Sequence, residues 1–588
     1  MKLPNPRFFT SYSKTPHSLS SLNPFKFSPL SANPNFCRRN LKQGPLRFRH
    51  SCYSFFFSRS ASVKATMCAS PPFVHVKDQI DLTAKEKQIF DRLLEVIRHF
   101  NLQTQLRVAG GWVRDKLLGK ECYDIDIALD NMLGREFCEK VNEYLSSTGE
   151  EVQGIGVIQC NPDQSKHLET ARMRLFDIWI DFVNLRAEDY SENSRIPTMR
   201  FGTAEEDAYR RDLTINSLFY NINSSSVEDF TKRGIADLKS GKIVTPLPPK
   251  QTFLDDPLRV LRAIRFGARF GFELNGELKI AAADNDVRAA IADKISRERI
   301  GHEIDLMISG NQPVKAITYI AELQLFWAVF SLPRGTEPSP PEGCERLCVA
   351  YMDSAWRLLQ LVGSSIFTDD QQRLCLYAAL LLPFRNNVYK DKKGKKIPVV
   401  SDIFRTSLKL KTSDAENVMN MHLAAEKFLS LIPLIISKES LQVLEVDWRK
   451  ETIDVPVASK LRILTGLVLR DIKEFWRAAL VLSLLLFPED IGSSKKLSIE
   501  DKKLQEKREL FNRVENAILE MGLEKVWEFK PLVNGKEIMS ILQLKSGGPI
   551  VREWQQKLLE WQLAHPSGSA EECIDWMKEA QSKRARIE

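Results

Sequence analysis

The 588-residue sequence predicts a mixed α/β region followed by a long all-helical region. Three observations carry this. Short β-type runs between residues 107 and 185 are interrupted by one helical segment, the strand signals thin out after Pro249, and apolar residues then recur at helical spacing almost to the end. A chain of this length exceeds what one compact core can organise, and 43% hydrophobic with 27% charged residues is ordinary for a soluble multidomain protein.

Residues 1–77 contain no Asp or Glu but hold twelve Lys and Arg, set among Ser, Phe and Pro. That is the composition of an organelle transit peptide, largely disordered, suited to mitochondria and plastids alike. A basic RNA-binding tail is the alternative. Initiation at Met67 would remove most of the leader and leave a form for the cytoplasm and nucleus. Lys583-Arg584-Ala585-Arg586 is only a weak nuclear signal. The leader takes twelve of the positive charges, so a net +8 becomes −4 for the rest, and any nucleic-acid surface there must be a local patch.

From Asp81 to about Phe100, Ile89, Leu93, Leu94 and Ile97 fall at helical spacing. Strand-like runs follow at Arg107–Ala109, Ile125–Ala128, Ile155–Gln159, His167–Leu175 and Trp179–Leu185, with a helix over Arg135–Leu145 between the second and third. Beyond Pro249, helices are expected at Arg259–Phe270, Gly276–Ala290 and Ser296–Met307, with Gly and Pro between them. Pro333–Gly343 and Asn386–Pro398 read as surface loops. The ten cysteines form no CxxC pair, and Cys344 and Cys348 suit a helix better than zinc. No run reaches the 18 or so apolar residues of a membrane span, and Ala478–Phe487 reads as a buried helix. No membrane partner is expected, and the chain is expected to be a monomer.

Asp124-Ile125-Asp126 places two carboxylates on one face of a strand, close enough to share divalent metal ions. Just upstream, Gly110-Gly111-Trp112-Val113-Arg114 combines bare backbone amides with a guanidinium, a pairing suited to a phosphate tail. Asp181 can join the pair by strand alternation, and three carboxylates are the usual oxygen cage for two Mg²⁺ ions. Asp177 competes for that third role. Arg210-Arg211-Asp212 could bracket a ribose and its phosphates. Asp229–Ile243 is a turn-rich connection that reads as a hinge.

Asp255-Asp256-Pro257-Leu258-Arg259 reads as a helix start, with Pro257 in the first turn. Arg259, Arg262 and Arg265 recur every third residue, while Leu258, Leu261 and Ile264 form the buried side. Three arginines on an otherwise apolar helix need anionic partners. An Asp beside an Arg can also read a base. Asp accepts from the amino group and Arg donates to the ring acceptor of cytosine or adenine, whereas uracil and guanine present the reverse polarity.

In this order the motifs closely resemble those of the class II tRNA nucleotidyltransferases, the CCA-adding enzymes, over about Leu106–Met307. The resemblance implies an α/β nucleotidyltransferase head at 78–245, a helical neck at 246–310, a body at 311–440 and a tRNA-binding tail at 441–588, in a seahorse-shaped architecture. It implies catalysis by Asp124, Asp126 and Asp181, with Mg²⁺ on Asp124 and Asp126. Gly110, Gly111, Arg114, Arg211, Asp212, Asp256, Arg259, Arg262 and Arg265 are the implied nucleotide-binding residues. Asp256 and Arg259 would serve as an amino-acid template. The family's usual Glu-Asp is Asp255-Asp256 here. Ser296–Ile300 with Glu303 resembles the motif that stiffens the region behind the template, and Ser191–Asp207 would be a mobile loop. The implied partners are tRNA, CTP and ATP, and the implied reaction is untemplated addition of CCA to the tRNA 3′ end. The rivals are a poly(A) polymerase of the same fold and a non-catalytic RNA-binding protein. Gly154–Gln159 lacks the Gly-basic-basic-Phe element that the polymerases tend to carry.

Overall fold

The first helix, α1 (Ala84–His99), begins at a capping box in which Thr83 and Glu86 satisfy each other's backbone amides, and it buries Ile89, Phe90, Leu93, Val96 and Ile97. The computed structural model describes residues 74–158, 169–189, 198–436, 446–449, 452–487 and 497–585. These belong to one unit, Ala69–Glu588. Residues 1–73 of the expected leader, with Met67, and the last residues of the basic C-terminus lie outside the described residues, whereas Val76 is buried in the core and the Lys77 amide donates to the Leu117 carbonyl at 2.8 Å.

After α1 come β1 (Leu106–Ala109), α2 (Gly111–Leu117), β2 (Ile125–Leu129), α3 (Gly134–Ser147), β3 (Ile155–Ile158), β4 (Thr170–Leu175) and β5 (Ile178–Asn184). The next elements are β6 (Arg186–Asp189), β7 (Thr198–Phe201), α4 (Ala204–Tyr209), β8 (Phe219–Asn221), β9 (Ser226–Glu228) and α5 (Gly234–Lys239). Seven strands make one sheet in the order β3-β4-β5-β2-β1-β8-β9. Within this sheet, among the described residues, only β2 and β5 run parallel, and they pair Ile125 with Ile180 and Asp126 with Asp181. The two isoleucines point into the core and the two aspartates to the opposite face, as the period of two demands. Helix α3 covers the core face, where Phe137 packs on Phe182 with ring centroids 5.5 Å apart. Gly134 permits this approach, since a Cβ there would lie 2.5 Å from the Phe182 carbonyl oxygen.

The helical region opens with α6 (Pro249–Asp255), α7 (Leu258–Phe270), α8 (Gly276–Ala282), α9 (Asn285–Lys294), α10 (Arg297–Ile308) and α11 (Pro313–Glu322). The single helix expected over Gly276–Ala290 is two, because Asp284 caps a new start by accepting the Asp286 amide at 2.9 Å. Then follow α12 (Phe326–Val329), α13 (Cys344–Val362), α14 (Asp369–Leu380), α15 (Val399–Asp402), α16 (Thr412–Ile436), α17 (Val457–Ile472) and α18 (Trp476–Leu486). The last four are α19 (Leu497–Glu520), α20 (Gly535–Ile541), α21 (Pro549–Ala564) and α22 (Ala570–Ala585).

Within the expected loop 386–398, Val388–Lys390 and Lys396–Pro398 pair as a short hairpin. Ser191–Asp207 is likewise more than a loop. Its described part forms β7, which pairs with β6, and the start of α4. Helix α16 is long and apolar enough to cross a membrane by length and composition. It packs on α14, α17 and α18, and it carries the buried Asp414 and His422. Arg373 of α14 ties the first helices to the later ones, bridging Asp305 of α10 at 2.7 Å and Asp414 at 2.8 Å.

Candidate active site

Two carboxylates stand on the sheet face away from α3, at the start of β2. Asp124 is exposed just before the strand, and Asp126 sits inside it. Burial, and then the neighbouring charges of Asp124 and Asp181, push the Asp126 carboxyl up to about 6. A carboxylate so disfavoured gains most from a cation. Asp181 lies on the adjacent rung of β5, and Arg172 grips both of its oxygens, at 2.5 and 2.7 Å. Asp177 sits in the β4–β5 turn at φ +70° and is exposed. Arg172 thus holds the carboxylate expected to complete the three-carboxylate cage, and among the described residues no group of three His, Cys, Asp or Glu side chains is arranged to hold a metal. Asp124 and Asp126 are two hard oxygen donors beside a cavity. That set suits Mg²⁺, which commonly takes one or two carboxylates and completes its shell with substrate phosphates and water.

The cavity has a volume of about 760 Å³ and lies between the sheet, the α4 segment and α7. Gly110 and Gly111 form its wall where β1 turns into α2. Gly110 adopts φ +70°, and a Cβ on it would lie 2.7 Å from the Arg211 guanidinium, so only glycine fits both the backbone and the neighbour. Arg114 is buried. It donates to Asp115 at 2.9 Å and to the Asn216 side chain, and its guanidinium lies over Phe266 and Phe270. Burial lowers its affinity for the proton. Arg114 borders the cavity but is already spoken for on both edges.

The segment after β7 builds a charge lattice. Asp207 of α4 is buried between Arg210 and Arg211 and accepts from both at 2.6 to 2.9 Å. These residues fall three and four positions after Asp207, the helical spacing that brings side chains together. Burial opposes the Asp207 charge, but the two guanidiniums outweigh it and hold the carboxyl below its usual range. Asp212 is similar. Burial is overcome by Arg262, the Asn216 amide and Arg259, which draw it down to about 2. Its Oδ2 accepts from Arg262 Nε at 2.7 Å, so one pair spans the sheet region and α7.

Helix α7 supplies the far wall. Pro257 precedes its first residue, and Asp256 accepts the Leu258 amide at 3.2 Å, as a helix start requires. Asp256 also meets Arg299 of α10 at 3.3 Å. Arg259 is nearly buried, donates to the Arg210 carbonyl at 2.8 Å and lies 3.5 Å from Glu188 of β6. Arg265 is the exception among the expected nucleotide contacts. It leaves the cavity, bonds Glu303 of α10 at 2.6 Å and covers Phe266. The reason is geometric: at 100° per residue, Arg265 is turned 120° from Arg259. The face that holds to the cavity is Arg259, Arg262, Phe266 and Arg269, steps of three, four and three.

Charged and aromatic cavity residues that were given no site role from the sequence include Asp115, Arg186, Glu188, Asp207, Phe266, Arg269 and Arg299. Burial, and then Arg210, pull Arg186 down to about 10. A helical-face argument carried two turns further would have found Phe266 and Arg269. Glu188 and Arg186 lie on a short strand that gives no signal in the sequence, being brought to the site by β6–β7 pairing.

A sheet with paired carboxylates beside a glycine turn, facing an arginine-lined cavity, defines a nucleotidyltransferase head. Residues 106–244 match the family model described as the poly A polymerase head domain. The chain is 35% identical over 539 residues to the mitochondrial CCA tRNA nucleotidyltransferase of Candida glabrata, covering 85% of this chain and 96% of that protein. It is 34% identical over 545 residues to that of Saccharomyces cerevisiae, covering 86% and 95%. Among solved structures, the Bacillus stearothermophilus CCA-adding enzyme in complex with CTP shares the fold at a TM-score of 0.56 and 17% identity, over 86% of this chain and 100% of that one. The chain belongs to the CCA tRNA nucleotidyltransferase family.

Proposed function

We propose that the protein adds C, C and A to the 3′ end of tRNA from CTP and ATP, with no nucleic-acid template and with release of pyrophosphate. The observation that carries this is one cavity lined both by Asp124 and Asp126 and by Asp256 and Arg259, so that a nucleotide can meet the reacting carboxylates and a base-reading pair together. Magnesium held by Asp124 and Asp126, two ions in the full arrangement, would neutralise triphosphate charge and make the attacking hydroxyl more acidic.

The remaining roles follow from the charges on the walls. Arg262 faces the triphosphate region and would exchange Asp212 for a phosphate oxygen, with Arg211 and the Gly110–Gly111 backbone close by. Asp212 and Arg211 would hold the ribose. Asp256 would accept from the amino group of cytosine or adenine while Arg259 donates to the ring acceptor, and Arg299 would keep the Asp256 carboxylate oriented. Asp181 would act in support once Arg172 releases it. Arg114 and Arg265 are better cast as positioning residues, since Arg114 is held by Asp115 and Asn216 and Arg265 is turned to Glu303 outside the cavity.

The acid-free leader and the mitochondrial names of two relatives support import into mitochondria. Plastid, cytoplasmic and nuclear forms rest on the leader composition and Met67 alone. The deciding experiment gives the purified protein a tRNA lacking its 3′ end, with CTP and ATP separately and together, and sequences the products. Exact CCA ends are expected. Long A tracts would show a poly(A) polymerase, and unextended tRNA would show a binding protein.

A further inference from the structure

The sheet face that bears the carboxylates continues beyond the nucleotide cavity. Trp179 immediately precedes Ile180, and Asp124 immediately precedes Ile125, its register partner. Trp179 on β5 and Asp124 before β2 thus each stand one residue ahead of the first paired rung, where neighbouring strands lie about 5 Å apart. The indole is 53% exposed. Among the described residues no ring, cation or hydrogen-bond partner engages it. On the next strand outward, Arg174 is in register with Trp179 and Arg172 with Asp181, and both arginine side chains are about half exposed. Beyond Arg172 comes Gly156 on β3, which adds no side chain.

Moving outward from β2, the face presents carboxylates, then an exposed tryptophan, then two arginines. Neither Trp179 nor the arginines of β4 border the nucleotide cavity. An unpaired nucleobase can stack on an exposed aromatic ring, and flanking arginines attract the backbone phosphates. We infer that Trp179, with Arg172 and Arg174, is the platform for the single-stranded 3′ end of the RNA primer. The terminal base lies on the indole, and the 3′-hydroxyl is delivered to Asp124 and Asp126 from the flank opposite α7. Trp179 is a positioning residue in this arrangement. Phosphate contact at Arg172 would also loosen its grip on Asp181. The inference rests on the nucleotidyl-transfer reading above.

The test uses the full-length protein, a tRNA lacking its 3′ end, and separate KM values for tRNA and CTP. Trp179→Ala is expected to raise KM for tRNA about tenfold, the scale of one lost base–aromatic stack, with KM for CTP and the melting temperature unchanged. Trp179→Phe should recover most of the loss. Arg174→Ala should flatten the dependence of tRNA affinity on salt by about one phosphate contact. In parallel, a photoreactive nucleotide at the primer 3′ end should crosslink to the peptide containing Trp179. An unchanged KM for tRNA in Trp179→Ala, or crosslinks confined to other peptides, overturns the platform. A wild-type protein that extends no primer overturns the proposed function instead, and the crosslink still reads the platform by itself.

Discussion

The cavity between the sheet and α7 and the bundle of α13 to α18 are built on opposite principles. The cavity is lined by buried or half-buried charge: Asp207 with Arg210 and Arg211, Asp212 with Arg262, and Glu188 near Arg259. The bundle is filled by Trp476, Tyr377, Phe404 and Phe428, all fully buried. Burying ion pairs gains little stability over apolar packing, because desolvation consumes the attraction. A region that retains so many arginines is organised for an anionic ligand, whereas the bundle is organised to stand still. Activity and stability should therefore separate when each region is altered.

The sharpest way to break that contrast is Asp126→Asn. Incorporation should fall by about a thousandfold or more, since the charge that would hold the metal is lost. Stability should hold or rise, because a half-buried carboxyl pushed up to about 6, first by burial and then by its neighbours' charge, is relieved of both penalties. A melting temperature that falls in step with activity would dissolve the distinction. Trp476→Ala is the mirror experiment. It should cost about 3–5 kcal/mol of stability in denaturant unfolding, with activity per folded molecule nearly retained.

Acid should separate the regions next. His422 of α16 is buried, with Nε2 2.7 Å from the Ala378 carbonyl, and burial lowers it to about 4 from 6.5. The unfolded chain takes up that proton first, so the stability is intact above pH 6.5 and is lost as pH falls towards 4, by about 3 kcal/mol. Asp212 also sits below its ordinary 3.8, at about 2. Its contribution of about 2 kcal/mol is intact above pH 3.8 and disappears only as pH falls through 2. His422→Leu should remove the first loss from a pH series of unfolding curves and leave the second. The smallest effect is expected at the half-exposed Arg385–Glu426 pair of the bundle, 3.0 Å apart, where Arg385→Ala should shift stability by under about 1 kcal/mol.

Much of the site was legible because the chemistry is concentrated in short spacings. Asp124 and Asp126 share a face through the period of a strand, Arg259 and Arg262 share one through the period of a helix, and Asp256 stands just before that helix begins. Arg265 shows where such reading fails. A three-residue repeat drifts around a helix of 3.6 residues per turn, so the third arginine reaches Glu303 instead of the cavity. Asp181 shows a second limit, as alternation placed it beside Asp126 but could not show Arg172 holding its carboxylate.

The amino-acid sequence by itself determined the order of the sheet and helical regions, the paired carboxylates, the glycine turn and the start of α7, because each depends on residues a few positions apart. Tertiary packing was needed to show that Glu188 meets Arg259 across 71 positions, that Arg262 meets Asp212 across 50, and that the β5 strand bearing Trp179 pairs with β2. Those pairings depend on strand register and on how α7 packs against the sheet, which is fixed by burial of the whole core rather than by any local pattern.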